Sequence, residues 1–200
     1  SIQSLVLARM DRLAPRDKIA LQVASVLGKR FGLDTLRNLI DDRQYSCDAL
    51  LDADLVRPEG GDYVFAHALI HEGVYSSLLN ARKREFHRSA AEWFGEQEPI
   101  LRAEHLDRAS DSGAAAAYLV AANAQAKRFL HEPALRLAAR GLEVALEDSV
   151  RCSLLLLRGD LLRDTGSSTD SLVAFKSALE LAADDSQRCQ AWMGIVAGYR

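Results

Sequence analysis

Residues 65–88 read FAHALIHEGVYSSLLNARKREFHR, and no other stretch says more about the fold. An extended run over residues 63–66 leads directly into a helix that begins at His67. Apolar residues recur along this helix at the spacing of one helical face. They are Leu69, Ile70, Val74, Leu78 and Leu79. A basic helix follows almost at once, so the stretch predicts a strand and then two consecutive helices.

The chain before this stretch predicts further helices and a β-hairpin. The predicted helices run over about residues 16–27, from Asp34 as N-cap to about Ile40, and from Ser46 as N-cap to Leu55. Gly60 and Gly61 lie between two short apolar runs, and tight hairpin turns need the positive φ angles that glycine adopts. Three helices followed by a small hairpin predict a mainly α-helical, winged-helix-like domain over residues 14–97.

From Pro99 onwards the pattern is helical throughout, in segments of roughly 13–18 residues. The breaks between segments lie at residues 110–113, 131–133, 147–148, 166–168 and 184–185. Gly159 and Gly194 are interpreted as equivalent positions in successive first helices. In successive second helices, Ala138 and Gly141 match Phe175 and Ala178. The offsets lie near the period of about 34 residues of tetratricopeptide repeats (TPRs), which predicts a TPR-like α-solenoid over residues 98–200.

Composition excludes several classes of function. The chain is 48% hydrophobic and 26% charged, as in ordinary globular proteins. No apolar run approaches the length of about 18 residues that a membrane span needs, so we expect a cytoplasmic protein without a membrane partner. The net charge is −3, and the helix predicted over residues 46–55 carries Asp48, Asp52 and Asp54 but no lysine or arginine. These carboxylates would repel phosphates, so no direct DNA binding is expected.

No complete catalytic or metal site is visible. The phosphate loop of ATP-binding proteins is absent. Cys47, Cys152 and Cys189 form no Cys-x-x-Cys pair and are expected to be small buried apolar residues. His67 and His71 lie four residues apart, but a third convincing metal ligand is missing. We therefore expect no catalytic residue and no bound metal in this segment.

A basic run in the predicted helix after residue 79 is the clearest candidate surface for anions. It consists of Arg82, Lys83, Arg84 and Arg88. The same helix carries apolar residues that are predicted to point inward, namely Phe86, Ala90, Trp93 and Phe94. Charged outer faces are common on such amphipathic helices, so we interpret the basic run as a solvated face.

Three segments resemble one family. Residues 4–13, SLVLARMDRL, look like the last helix of the ATPase module in signal transduction ATPases with numerous domains. Residues 26–31, VLGKRF, resemble the segment VLGREF of that class, and residues 65–78 resemble FRHALIREAVYESL. The similarity covers most of residues 4–147. Such modules occur in large LuxR-type transcriptional regulators and in bacterial class III adenylate or guanylate cyclases with ATPase and TPR domains.

The resemblance implies a site and a cofactor. Residues 1–13 would be the end of an upstream ATPase module, and ATP or ADP would bind to the full-length protein rather than to this segment. By position, His67 corresponds to the family histidine that contacts the β-phosphate of ADP, although Ala66 and Ala68 depart from the family motif. The physical alternative is that His67 caps its helix or bonds a neighbouring carbonyl.

The leading interpretation is a non-catalytic regulatory segment of a multidomain signalling ATPase, with a cyclase-related parent favoured slightly. Its partners would be the upstream ATPase domain of the same chain and a protein or small-molecule ligand on the TPR surface. One alternative is a segment of a LuxR-type regulator. Another is a stand-alone TPR adaptor for protein–protein interaction.

Overall fold

The computed structural model describes residues 8–198, and the chain divides into two compact units between Trp93 and Phe94. The segment that resembles the last helix of an ATPase module, residues 4–13, begins outside the described residues. Within its described part, residues 8–11 are helical. The expected mainly helical fold class is confirmed: a helical unit with a small three-stranded sheet is followed by TPR-like helical hairpins.

The first unit consists of short helices around a small sheet. Its elements in chain order are α1 (Pro15–Leu27), β1 (Arg30–Phe31), α2 (Leu33–Leu39), α3 (Asp48–Asp52), β2 (Val56–Glu59), β3 (Asp62–Phe65), α4 (Ala68–Ser77) and α5 (Asn80–Phe94). One core joins the inner faces of these elements, and its largest fully buried side chains include Tyr45, Leu21 and Leu36. On α4, Ile70 and Val74 are buried, whereas Leu69 is half exposed.

The predicted hairpin is present, and the sequence missed a third strand beside it. Strands β2 and β3 pair antiparallel, and the turn residues Gly60 and Gly61 have φ angles of 59° and 93°. Strand β1 pairs with the other edge of β3, which gives the strand order β1-β3-β2. Because β1 has only two residues, it is too short to show an alternating pattern.

Both predicted helix caps are wrong. Asp34 lies inside the first turn of α2, where Gly32 is the N-cap residue. The third helix is shorter than the predicted 46–55, and its N-cap residue is Cys47. The hydroxyl of Ser46 donates to the carboxylate of Asp48 over 2.7 Å instead of bonding a backbone amide.

The second unit is a series of helices connected by short turns. They are α6 (Pro99–Arg108), α7 (Ala114–Ala126), α8 (His131–Val144), α9 (Asp148–Asp164), α10 (Ser168–Leu181) and α11 (Asp185–Gly198). The break predicted at 131–133 lies four residues earlier, and Phe129 adopts a positive φ of 59° there. None of the helices that the structure describes is both long and apolar enough to cross a membrane.

The repeat is present, but its period is longer than predicted. The starts of α8 and α10 differ by 37 residues, as do the starts of α9 and α11. The same shift relates Ala138 to Phe175, as the sequence indicated, but it relates Gly159 to Val196 and not to Gly194. Gly159 and Gly194 therefore differ by two positions when counted from the starts of their helices, so their predicted equivalence is wrong.

Phe175 explains why both positions are glycine. A Cβ atom added to Gly159 would lie 2.7 Å from the Phe175 ring, and one added to Gly194 would lie closer still. The ring is thus held between the helix before α10 and the helix after it. The buried hydroxyl of Ser171 donates to the Gly159 carbonyl over 2.8 Å, which further connects α10 to the helix before it.

Two of the three cysteines match their expected role. Cys47 and Cys152 are buried, and the thiol of Cys152 donates to the Ala178 carbonyl over 3.3 Å. Cys189 is exposed on α11, which contradicts the prediction that it is buried.

Candidate functional site

His67 lies at the start of α4, where the sequence placed it. It is the N-cap residue, with an extended backbone (φ −143°, ψ 146°), and lies two residues after the end of β3. Its side chain is exposed and makes no hydrogen bond to the helix start. Its carbonyl accepts hydrogen bonds from the amides of Ile70 and His71. The structure therefore gives the imidazole no capping role.

The backbone around His67 suits an anion. The amides of Ala68 and Leu69 belong to the first turn of α4, where geometry leaves N–H groups without partners inside the helix. Their alignment gives the helix start a partial positive charge. An exposed imidazole beside these amides adds a side-chain donor. These groups are donors of the kind that a phosphate accepts from, and a phosphate contact is what the resemblance implies for His67.

His71 has a structural role. It is half-buried, and its Nε2 atom lies 2.9 Å from the carbonyl oxygen of Ser25 on α1. Its ring packs edge-on against Phe65 and is stacked with Tyr75. His71 therefore holds α4 against α1, while His67 one turn earlier faces solvent. Among the described residues, no group of three His, Cys, Asp or Glu side chains could hold a metal ion.

A second histidine contact, at a buried position, was not predicted from the sequence. His87 on α5 is fully buried, and its Nε2 atom lies 3.0 Å from the hydroxyl of Tyr75 on α4. The ammonium group of Lys83 lies over the Tyr75 ring, 4.8 Å from its centroid. These contacts connect the two helices of residues 65–88. Helical periodicity could have indicated His87, since it lies three residues before the inward-facing Ala90.

The basic run on α5 is partly engaged within the helix. Arg82 bonds Glu85 over 3.0 Å and lies over the Phe86 ring, 4.5 Å from its centroid. Phe86 and Ala90 are buried as predicted. Trp93, however, is 43% exposed, and its indole donates to the hydroxyl of Thr35 over 3.3 Å, so its predicted inward position is wrong.

The acidic helix predicted over residues 46–55 is reduced to the five residues of α3. Asp48 and Asp52 are both exposed at its two ends, and Asp54 ends the segment with a φ of 52°. A helix this short and acidic presents no cation to a phosphate backbone.

Comparisons with known proteins give a match at the level of fold. No family model matches the sequence, and no curated protein matches it. The structure is similar to that of the signal transduction ATPase with numerous domains (STAND) that carries a tetratricopeptide repeat sensor, from Pyrococcus horikoshii, with a TM-score of 0.52. The two chains are 14% identical, and the similarity covers 100% of this chain and 36% of that protein.

At this identity the similarity concerns the fold alone. It extends over all of the chain, including the unit with the sheet and the unit with the helical hairpins. The chain spans little more than a third of the length of the protein that it matches.

Proposed function

We propose that this chain is a non-catalytic regulatory segment of a multidomain signalling ATPase. The observation that carries the proposal is the fold similarity to a STAND protein with a TPR sensor, which extends over the whole chain. In such an arrangement the first unit contacts an ATPase domain of the same protein. The helical hairpins of the second unit provide a surface for a protein or small-molecule ligand.

His67 is the residue that we propose to connect this segment to the nucleotide. Its side chain is exposed and uncapped at the start of α4, so it is available to donate to a phosphate oxygen. ADP bound to the ATPase domain would then stabilise, through this contact, a closed and inactive conformation of the full-length protein. One charge-assisted hydrogen bond contributes about 1.5–3 kcal/mol, or roughly ten- to a hundredfold in a conformational equilibrium.

The test is His67→Ala in the full-length protein. We expect weaker ADP retention and a higher basal output, meaning a higher signalling activity of the full-length protein without a stimulus. The melting temperature of the 200-residue chain should be unchanged. Ser76→Ala, at an exposed position near the other end of α4, is the matched control and should change neither quantity. Equal ADP affinity and equal basal output in the His67→Ala and wild-type proteins would exclude the sensor role.

The kind of output is a finer part of the proposal. We favour a parent protein related to class III adenylate or guanylate cyclases, with a LuxR-type transcriptional regulator as the alternative. The resemblance of residues 65–78 supports both, because ATPase and TPR domains occur in both classes. Cyclase domains elsewhere in the gene would support the first, and a downstream helix-turn-helix domain the second. If the gene encodes no phosphate loop, both ATPase interpretations are excluded and the stand-alone TPR adaptor is the interpretation that agrees with the fold.

A further inference from the structure

We infer that the first unit contains a phosphate-binding pocket formed by Lys29, Arg57 and the start of α4. An open cavity of about 280 Å³ lies between the polar face of the sheet and the first residue of α4, Ala68. Three of its seven lining residues are cationic and one is acidic. The lining residues are Lys29, Arg30, Arg57, Glu59, Val64, Phe65 and Ala68.

The strand register brings two arginines to one face of the sheet. Arg30 on β1 and Arg57 on β2 both lie directly opposite Val64 on the central strand β3. Residues directly opposite each other in a ladder project to the same face. The other face carries the buried Phe31 and Phe65. The arginines therefore share the solvent face of the sheet, with Val64 between them.

The charge of Arg30 is balanced within the sheet. Its guanidinium donates to Asp62 over 2.7 Å and lies 3.6 Å from Glu59, and the hydrogen bond to Asp62 raises its pKa. Glu59 is the acidic residue in the lining, and Arg30 engages it. Arg30 thus keeps the hairpin and β1 together and is not the anion-binding group.

Lys29 and Arg57 supply the excess positive charge. Within residues 8–198, no carboxylate lies at ion-pair distance from either side chain. Both are exposed, on a chain whose net charge is −3. The amides in the first turn of α4 give the N-terminal end of that helix a partial positive charge, and Ala68 at this end lines the cavity. Lys29, Arg57 and the first residue of α4, Ala68, line the same cavity, which is larger than a single phosphate group.

This combination favours phosphate over a single carboxylate. A phosphate group offers three acceptor oxygens in a tetrahedral arrangement, so it can accept from an ammonium, a guanidinium and backbone amides at once. The guanidinium of Arg57 can bond two of these oxygens. The pocket deepens the function proposed above, since it lies beside the helix start that His67 precedes, but its own residues can be tested without the rest of the protein.

The experiment is a titration of the 200-residue chain with pyrophosphate at low ionic strength, followed by amide chemical shifts in NMR spectra. We expect saturable shifts at Val64 and Ala68. Arg57→Gln and Lys29→Gln should each weaken the affinity by about tenfold. Arg43→Gln is the matched control, because Arg43 is an exposed arginine of the same unit outside the pocket. Unchanged melting temperatures establish that the variants are folded.

The outcomes separate this inference from the role of His67. No shift at Val64 and Ala68, or equal affinity in the Arg57→Gln and Arg43→Gln variants, would overturn the pocket. A polyglutamate peptide that binds more tightly than pyrophosphate at the same residues would also overturn it, because the site would then recognise carboxylates. ADP in place of pyrophosphate tells whether the nucleoside adds affinity. Loss of pyrophosphate binding in Arg57→Gln, with unchanged ADP retention in full-length His67→Ala, would uphold the pocket and exclude the His67 sensor.

Discussion

At the scale of single residues, two histidines one turn apart have opposite environments. The sequence presents His67 and His71 as a pair on one helix, and nothing in their spacing separates them. The structure separates them because α4 packs on α1 through the turn that contains His71. Spacing along a helix predicts a shared face, but which part of the face is covered depends on the neighbouring element.

This difference predicts unequal effects of the two histidines on the free energy of unfolding. His71→Ala removes a hydrogen bond to the Ser25 carbonyl and a half-buried ring, so we expect the free energy of unfolding to fall by about 1–3 kcal/mol. His67→Ala removes an exposed side chain without a capping bond and should change it by less than about 0.5 kcal/mol. Urea denaturation of the two variants measures both values. Equal destabilisation would show that the assignment of their roles is wrong.

A third histidine predicts how stability depends on pH. His105 on α6 is 4% exposed, and burial, followed by the charge of Arg108, lowers its pKa to about 4. In the unfolded chain its pKa is about 6.5. The unfolded state therefore binds the proton more readily. The stabilising contribution of neutral His105 is complete above about pH 6.5 and is lost as the pH falls towards 4.

We expect this group to account for up to about 3 kcal/mol of the decrease in unfolding free energy over that interval. In His105→Phe the decrease should be smaller by this amount. The substituted ring can keep the stacking contact with Phe94, whose centroid lies 5.4 Å from that of His105. Urea denaturation at pH 7 and pH 4.5 gives the comparison. Parallel pH profiles of the two proteins would contradict it.

At the scale of secondary-structure elements, the hairpin and most helices could be predicted, but their ends and caps could not. Gly60-Gly61 specified the turn because the required φ angles exclude most other residues. Asp34 and Ser46 looked like caps because their side chains are common at helix starts. Whether such a side chain bonds an amide depends on where the chain enters the helix, and the pattern does not contain that information. The two-residue β1 is defined by its pairing with β3 and has no pattern of its own.

The contact of Gly194 with Phe175 predicts a rescue experiment. Gly194→Ala places a methyl group against the ring and should cost about 1–3 kcal/mol, although alanine favours the helix by about 1 kcal/mol. Phe175→Leu alone should also destabilise the chain, because it removes buried aromatic surface. Combined, the two substitutions should cost less than the sum of the single effects, since the smaller side chain makes room for the methyl group. Additive losses in a double-mutant cycle would contradict this packing.

At the scale of the whole molecule, the sequence predicted the order of a unit with a hairpin and a unit of helical hairpins. It did so because periodicity and turn glycines are local signals. The repeat length was predicted too short, because the match of Gly159 with Gly194 suggested a shorter shift than the 37 residues between the helix starts. The pocket at Lys29 and Arg57 was not predicted at all. Lys29 directly precedes β1 and Arg57 lies on β2, 28 positions later, and only the pairing of both strands with β3 brings them to one cavity.

The proposed regulatory role predicts the behaviour of the isolated chain. It has no phosphate-loop sequence and no set of catalytic carboxylates, so the purified chain should neither hydrolyse ATP nor form a cyclic nucleotide. Phosphate release and cyclic nucleotide assays measure this directly. Turnover that follows the protein through successive purification steps would contradict the proposal.

The position of Phe175 also has a kinetic consequence. Its ring is enclosed by two glycine positions on neighbouring helices, so it cannot rotate by half a turn about its own axis unless those helices move apart briefly. The rate of ring flipping, measured from exchange between the two edges of the ring, would therefore report how often this part of the second unit expands. A ligand that stiffens the helical hairpins would slow the flip even if it bound far from the ring.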